Sequence, residues 1–299
     1  MTWATSVWVG GFVCRSISVY NVQNVNLFIA QFVLIIIGPP LYAAAEYFIL
    51  GRLMAYFPYH APIHPGRVLS TFLILSAIVE SLTANGAANS AGTGRTPSQV
   101  RSGRDCIKAA LILQCFIEAT FFSLVAFLHH RCKRAGHFTS KVRPVFYVLY
   151  ITSAMMLVRC IVRVVEAFEA SGCVAQKAKP YCGTIDKHEI FLWIFEIANI
   201  TLFIILLAIF HPGKYLPRSS EIFLDPRDVT IERVGPGYSK VDKRPLLVTV
   251  LDPFNIYGIL TGKGMANLSF WDEDQPMYHD GKIDRVSTEA ESQGANEKA

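Results

Sequence analysis

Charge is scarce in this sequence. Only 17% of its 299 residues are Asp, Glu, Lys or Arg and 52% are hydrophobic, whereas about a quarter of a soluble domain is charged. That balance excludes an ordinary water-soluble globule and puts a membrane protein first. The net charge of +5 is small, and no basic block is interleaved with aromatics, so a nucleic-acid groove is excluded as well. Catalytic signatures are missing: there is no His-Glu-x-x-His helix, no Ser elbow and no paired-cysteine metal site. Gly92-Thr93-Gly94-Arg95-Thr96 lacks the Gly-Lys-Ser/Thr ending and the preceding strand of a phosphate loop, so no ATP motor is encoded. No enzyme, cofactor or resident metal is expected. Met1-Thr2-Trp3 lacks the basic opening and cleavage site of a secretory signal, and the first apolar segment is expected to stay as an anchor.

Long apolar runs are what the chain does have. Six are spaced along residues 1–217, and they predict an all-α polytopic transmembrane bundle, followed by a polar tail over 218–299. Thr2 to Val19 is the weakest, at the lower limit of a bilayer-crossing length. Leu27 to Leu50 follows, with Gly38, Pro39 and Pro40 in its middle. Prolines remove backbone donors and kink a helix; here the kink is either tolerated by packing or a ligand-facing hinge of the kind transporters use. The linker Tyr56 to Arg67 holds His60 and His64, but intervening prolines argue against a shared metal and for an interfacial role. Val68 to Ala87, Ile107 to Leu128, Tyr147 to Glu166 and Ile190 to Phe210 complete the six. In the tail, Leu246 to Leu251 reads as a short strand, and Thr288 to Ala299 has the composition of disorder.

The stretch around which the others are expected to pack is Tyr147 to Glu166. At about 100° per residue, Arg159, Arg163 and Glu166 share one helix face. An ionisable group at mid-membrane costs about 2.5 to 3.5 kcal/mol on the lenient insertion scale, so that face must meet partners or water rather than lipid. Glu46, Glu80, Glu118 and Glu196 lie at similar depth in other spans, and Arg159 or Arg163 is expected to pair with Glu196, Glu118 or Glu80. Such a set is either an ion-pair network that fixes packing or a binding site for a transported or sensed molecule; catalysis is the weakest alternative.

Basic residues in short loops put the His129 to Arg143 loop and the tail in the cytoplasm, and six spans would then place both termini inside. Cys173 and Cys182 fall in one external loop, where they either close a disulfide or stay as free thiols.

The runs GPPLYAAAEYFILGR (38–52), CIKAALILQCFIEATF (106–121), LVRCIVRVVE (157–166), HEIFLWIFE (188–196) and HPGKYLP (211–217) resemble the fungal lipid-translocating exporter family, also called aminocholesterol-resistance or RTA-like proteins. The resemblance implies seven-helix membrane proteins with an external N-terminus and a cytoplasmic C-terminus. It also implies links to tolerance of sterol analogues and other toxic compounds, to sphingoid-base movement, and in some members to porphyrin movement. By position, Arg159, Arg163, Glu166, Glu189 and Glu196 match the family's polar positions, the last more often being Asp. Two departures stand out. The family's first helix has no counterpart, as in a shortened sequence or a six-helix variant, and the third span offers Ser76 and Glu80 where an Asp and Gln pairing is usual. The reading is a multi-pass protein of the plasma membrane or an endomembrane that moves, or confers tolerance to, an amphipathic lipid-like compound without ATP hydrolysis. Its partners would be membrane lipids and that compound. The alternative is a membrane sensor signalling through its tail to a cytoplasmic partner.

Overall fold

A computed structural model describes residues 2–21, 24–63, 65–91, 94, 96–175, 188, 190–217, 219, 221–225, 231–235, 277–279 and 282–283. Among the described residues, six long helices stand where six apolar runs were read: α1 (Thr2–Tyr20), α2 (Val25–Tyr56), α3 (Pro65–Ala91), α4 (Pro97–Arg134), α5 (Arg143–Ala175) and α6, which joins Ile190–Leu192, a π-helical turn Trp193–Ala198 and Asn199–Ile209. Among the described residues, five stretches are long and apolar enough to cross a membrane, namely Ile29–Tyr56, Pro65–Ser90, Pro97–Arg134, Arg143–Glu169 and Ile190–Lys214. The short α1 is the sixth helix and lies outside that set.

Helix limits follow from local chemistry. Asn24 Oδ1 accepts the Leu27 amide at 3.3 Å and opens α2. Thr96 and Gln99 open α4 reciprocally: the Gln99 amide donates to Thr96 Oγ1 at 3.4 Å and the Thr96 amide to Gln99 Oε1 at 3.1 Å, a capping box with Pro97 at the first helical position. The same helix closes on Gly136, whose φ of +78° suits glycine alone without strain, while the His137 amide returns to the Cys132 carbonyl at 3.0 Å. Arg131, Lys133 and Arg134 in the last turn complement its carbonyl end. Helix α2 runs without interruption through Gly38, Pro39 and Pro40. A side chain at Gly38 would lie 2.4 Å from Trp8 Cδ1, so this glycine serves the close seating of α1 on α2.

The chain forms two compact units. One holds residues 1–48, 72–126 and 145–211. Tyr47, Phe72 and Phe121 make its aromatic centre, with ring centroids 4.9 and 5.1 Å from Tyr47. Its outside is apolar: Ile151, Val158 and Val165 are exposed on α5, opposite the buried Thr152, Arg159 and Cys160. That inversion of the soluble pattern is the signature of a lipid-facing wall.

The other unit holds residues 49–71, 127–144 and 212–299. Its core includes Leu50, Leu53, Phe57, Leu128 and Cys132, together with β1 (Ile222–Leu224), all three residues of which are buried. Strand β1 pairs antiparallel with β2 (Glu232–Val234), β2 with β3 (Met277–His279) and β3 with β4 (Lys282–Ile283), a four-stranded meander that the sequence reading did not foresee. The strand read at Leu246 to Leu251 and the terminal stretch 288–299 lie outside the described residues. Arg52 donates to the Pro217 carbonyl, and the Tyr56 hydroxyl to Glu232 Oε1 at 3.0 Å. His60 Nε2 faces His137 Nδ1 at 3.2 Å. Burial first, then the neighbouring His137 and Arg131, pull the half-buried His60 imidazole down from 6.5 to about 4.

A side chain at Gly86 would meet Ile107 Cγ1 at 2.6 Å and the Gly103 carbonyl at 2.8 Å, so Gly86→Val should destabilise the α3–α4 contact by about 1–3 kcal/mol through overpacking. Gly10→Ala, with nothing within 4 Å, should be neutral or stabilising; melting temperatures in detergent compare the two. The depressed His60 value means that the unfolded chain takes up its proton first. Stability should therefore fall as pH drops from 6.5 toward about 4, and a His60→Gln variant should show a flatter melting curve across that window.

Candidate functional site: a buried charge network

Arg159 and Arg163 are one turn apart on α5 and project from the face that carries the buried Thr152, Ser153, Met156 and Cys160. Opposite them, α6 departs from regular geometry. Its π turn spans Trp193–Ala198, and the Asn199 amide reaches both the Glu196 and Ile194 carbonyls. Widening a helix by one residue re-aims the side chains within the turn, and such turns recur at functional positions. Here the re-aimed side chain is Glu196, 2% exposed. Three residues on, Asn199 Nδ2 donates to the Met155 carbonyl at 2.9 Å and ties α6 to α5.

The network is then built by planar forks. Arg159 Nε donates to Glu196 Oε2 at 2.9 Å and Nη2 to Oε1 at 2.8 Å, the bidentate geometry that suits guanidinium to carboxylate. Arg163 Nε donates to the same Oε2 at 3.1 Å, and its Nη1 donates to Glu166 Oε2 at 2.8 Å. Two guanidiniums and two carboxylates sum to zero charge. The network also has a closed and an open end: the Arg159 and Glu196 side chains are 4% and 2% exposed, while Arg163 and Glu166 are 18% and 32% exposed.

Of the three carboxylates read as possible arginine partners, Glu196 is the one that both arginines hold. Glu118 on α4 receives the Tyr47 hydroxyl on Oε1 at 3.2 Å instead, and Glu80 on α3 is half-buried within electrostatic reach of Arg159. Glu46 on α2 is wholly buried, and among the described residues neither of its oxygens has a hydrogen-bond partner. Glu189 and the Cys173–Cys182 pairing lie outside the described residues. Sequence reasoning missed the π turn, Tyr47 and Asn199. Asn199 had a signal, since it is a second polar residue one turn after Glu196 in an apolar run. Among the described residues, no group of three or more His, Cys, Asp or Glu side chains could hold a metal ion.

Apolar helices of spanning length, with ion pairs turned inward, define a helical multi-pass integral membrane protein. The chain belongs to the RTA1-like protein family, whose model matches residues 1–219. It is 30% identical over 262 residues to a lipid-translocating exporter-like protein RTA1 of Leptosphaeria maculans, covering 84% of this chain and 50% of that relative. A protein of the same description from Ajellomyces capsulatus is 28% identical over 234 residues, covering 74% of this chain and 69% of its own. Protoporphyrin uptake protein 1 of Saccharomyces cerevisiae is 26% identical over 205 residues, 67% of this chain and 63% of the relative. This chain thus spans half the length of the Leptosphaeria protein. No solved structure matches it.

Removing one member of a buried ion pair strands the other, at about 3–5 kcal/mol, whereas replacing both by apolar groups is often neutral or stabilising. Glu196→Leu leaves Arg159 stranded and should lower the melting temperature in detergent markedly. The double change Arg159→Met with Glu196→Leu should recover most of the loss, with the Arg163–Glu166 contact retained.

Proposed function

We propose that this protein moves, or confers tolerance to, an amphipathic lipid-like molecule, without ATP hydrolysis and without changing it chemically. Its partners are then membrane lipids and that solute. In this reading it resides in the plasma membrane or an endomembrane, with residues 218–299 forming a cytoplasmic tail. The single observation that carries the reading is the half-open charge network. A structural brace alone would be served by the sealed Arg159–Glu196 fork. The Arg163–Glu166 end adds a cation and an anion that both keep surface exposure inside a membrane-spanning helix.

That end has two charges of opposite sign one helical turn apart. A zwitterionic headgroup can meet both without leaving a net buried charge, whereas a purely anionic one would displace Glu166 from Arg163 and strand it. Sphingoid-type lipids, sterol analogues and porphyrins are the wider set of candidate cargoes, each able to meet at most the one charge opposite to its own, and Gly38, Pro39 and Pro40 are the candidate hinge. The names of the relatives from Leptosphaeria and Ajellomyces support the class of cargo.

A sensor reading rests on a different observation. Arg52 bonds Pro217, the residue just before the tail, and Tyr56 bonds Glu232 within it, so the last turns of α2 share one compact unit with the tail.

Purified protein in vesicles, offered labelled lipids, sterols and porphyrins, should give saturable transbilayer movement. Arg163→Gln and Glu166→Gln, shown to be folded, should each weaken apparent affinity about tenfold, equivalent to about 1.4 kcal/mol. Unchanged movement in both variants would remove the headgroup role. Deleting residues 220–299 should leave movement intact in an exporter; a sensor would keep ligand binding and lose its output.

A further inference from the structure

The exporter reading leaves a second group of charges unused. Glu46 on α2 is 0% exposed and Glu118 on α4 is 1% exposed. Both oxygens of Glu46 and Oε2 of Glu118 are buried without a hydrogen-bond partner among the described residues. Tyr47, the residue after Glu46, reaches Glu118 Oε1 with its hydroxyl at 3.2 Å, which puts the two acids on either side of one phenol, where the charge of Glu118 acts on Glu46. An ionised carboxylate in such a setting is far costlier than an unsatisfied neutral group, so the pair must be compensated by a cation or carried with a proton.

Among the described residues, no cation is committed to this pair. From α2 the pair is faced by Tyr47, whose hydroxyl donates to Glu118 Oε1 at 3.2 Å. From α3 comes Ser76, beside Tyr47, while Glu80 of the same helix lies within reach of Arg159, and from α4 comes the Cys115 thiol. From α5 come Thr152, Arg159 and Cys160. Thr152 lies beside Glu46 but gives its proton to the Val148 carbonyl at 2.8 Å. Arg159 acts on Glu118 while its Nε and Nη2 are committed to Glu196 of α6. A hard divalent cation is a poor fit, because it gathers about six to eight oxygens and two carboxylates with a phenol fall short.

We propose that Glu46 and Glu118 form a proton-carrying pair inside the membrane-spanning helices, holding one transferable proton between them. The Tyr47 hydroxyl makes Glu118 the better-stabilised anion, so in the loaded state the proton rests on Glu46. Transfer breaks the O–H bond on Glu46, forms one on Glu118 Oε2, and moves the single negative charge from α4 to α2. Release to water leaves the pair doubly negative, with Arg159 the nearby guanidinium able to respond. Coupling of this proton to solute movement rests on the exporter reading; the presence of the proton does not.

Infrared difference spectra of the full-length protein in vesicles, taken between acidic and alkaline buffer, report the C=O stretch of a protonated carboxyl directly. The parent should show such a band, shifted in heavy water and lost at alkaline pH, and it should disappear or move in both Glu46→Gln and Glu118→Gln. Glu46→Gln is isosteric; should it fail to fold, Glu118→Gln alone decides. A missing band, a band indifferent to heavy water and pH, or a band that responds only to Glu80→Gln overturns the proposal. Movement of a labelled amphipath, with a pH-sensitive dye trapped inside, separates the two ideas. The parent should respond to an imposed pH gradient and lose that response with a protonophore. A parent that shows the band but moves no cargo ends the exporter reading and leaves the proton pair standing.

Discussion

The contact on which the first unit depends is the fork between Arg159 and Glu196. In water this would be a weak interaction, worth about 1 kcal/mol or less. Among apolar helices the same two groups have no aqueous alternative, and separating them would leave each charge in a medium that solvates it poorly. The fork therefore sets where α6 can lie along α5. The Asn199 amide on the Met155 carbonyl adds a second fixed point one turn further along, and the π turn of Trp193–Ala198 aims the carboxylate between them. Regular helix geometry is given up locally so that a charge can be met.

The carboxylates of this unit fall into two electrical classes. Glu196 and Glu166 are matched by Arg159 and Arg163, and the four sum to zero. Glu46 and Glu118 have one phenolic hydrogen bond between them. Burial does not separate the classes, since Glu46, Glu118 and Glu196 are all at most 2% exposed. What separates them is the supply of guanidinium groups from α5, which reaches one carboxylate fully and leaves the other pair to find its compensation elsewhere.

Much of the helical arrangement was legible in the sequence because the bilayer imposes long apolar runs, and periodicity alone puts Arg159, Arg163 and Glu166 on one face. The capping box at Thr96-Pro97-Ser98-Gln99 and the stop at Gly136 also leave sequence signals, but neither entered the expected helix limits. Choosing among Glu80, Glu118 and Glu196 was not, because all three are single acids in apolar helices. The choice depends on helix rotation, and a one-residue π expansion changes that rotation without leaving a mark in composition. The β meander was hidden for a different reason: strands of two or three residues are too short to show alternation, and their pairing joins segments as distant as 232 and 278. At Gly38-Pro39-Pro40 the residues suggested a kink; the helix continues through them, and the glycine admits Trp8.

A fully paired network is not an obstacle to moving a polar headgroup. Pulling Arg163 from Glu166 into a dry interior would be prohibitive if nothing replaced the lost partner. When an incoming headgroup brings one charge of each sign, the exchange swaps two ion pairs for two others and the net charge in the interior never changes. The barrier is then reduced to the geometry of rearrangement, which is smallest where the side chains already retain contact with the surface, at Arg163 and Glu166. Arg159 and Glu196 need not take part, and as long as they stay joined α5 and α6 keep their register while the outer pair opens. One network can in this way be both the brace that holds two helices together and the place where a headgroup exchanges partners, with the division falling between residues 159 and 163.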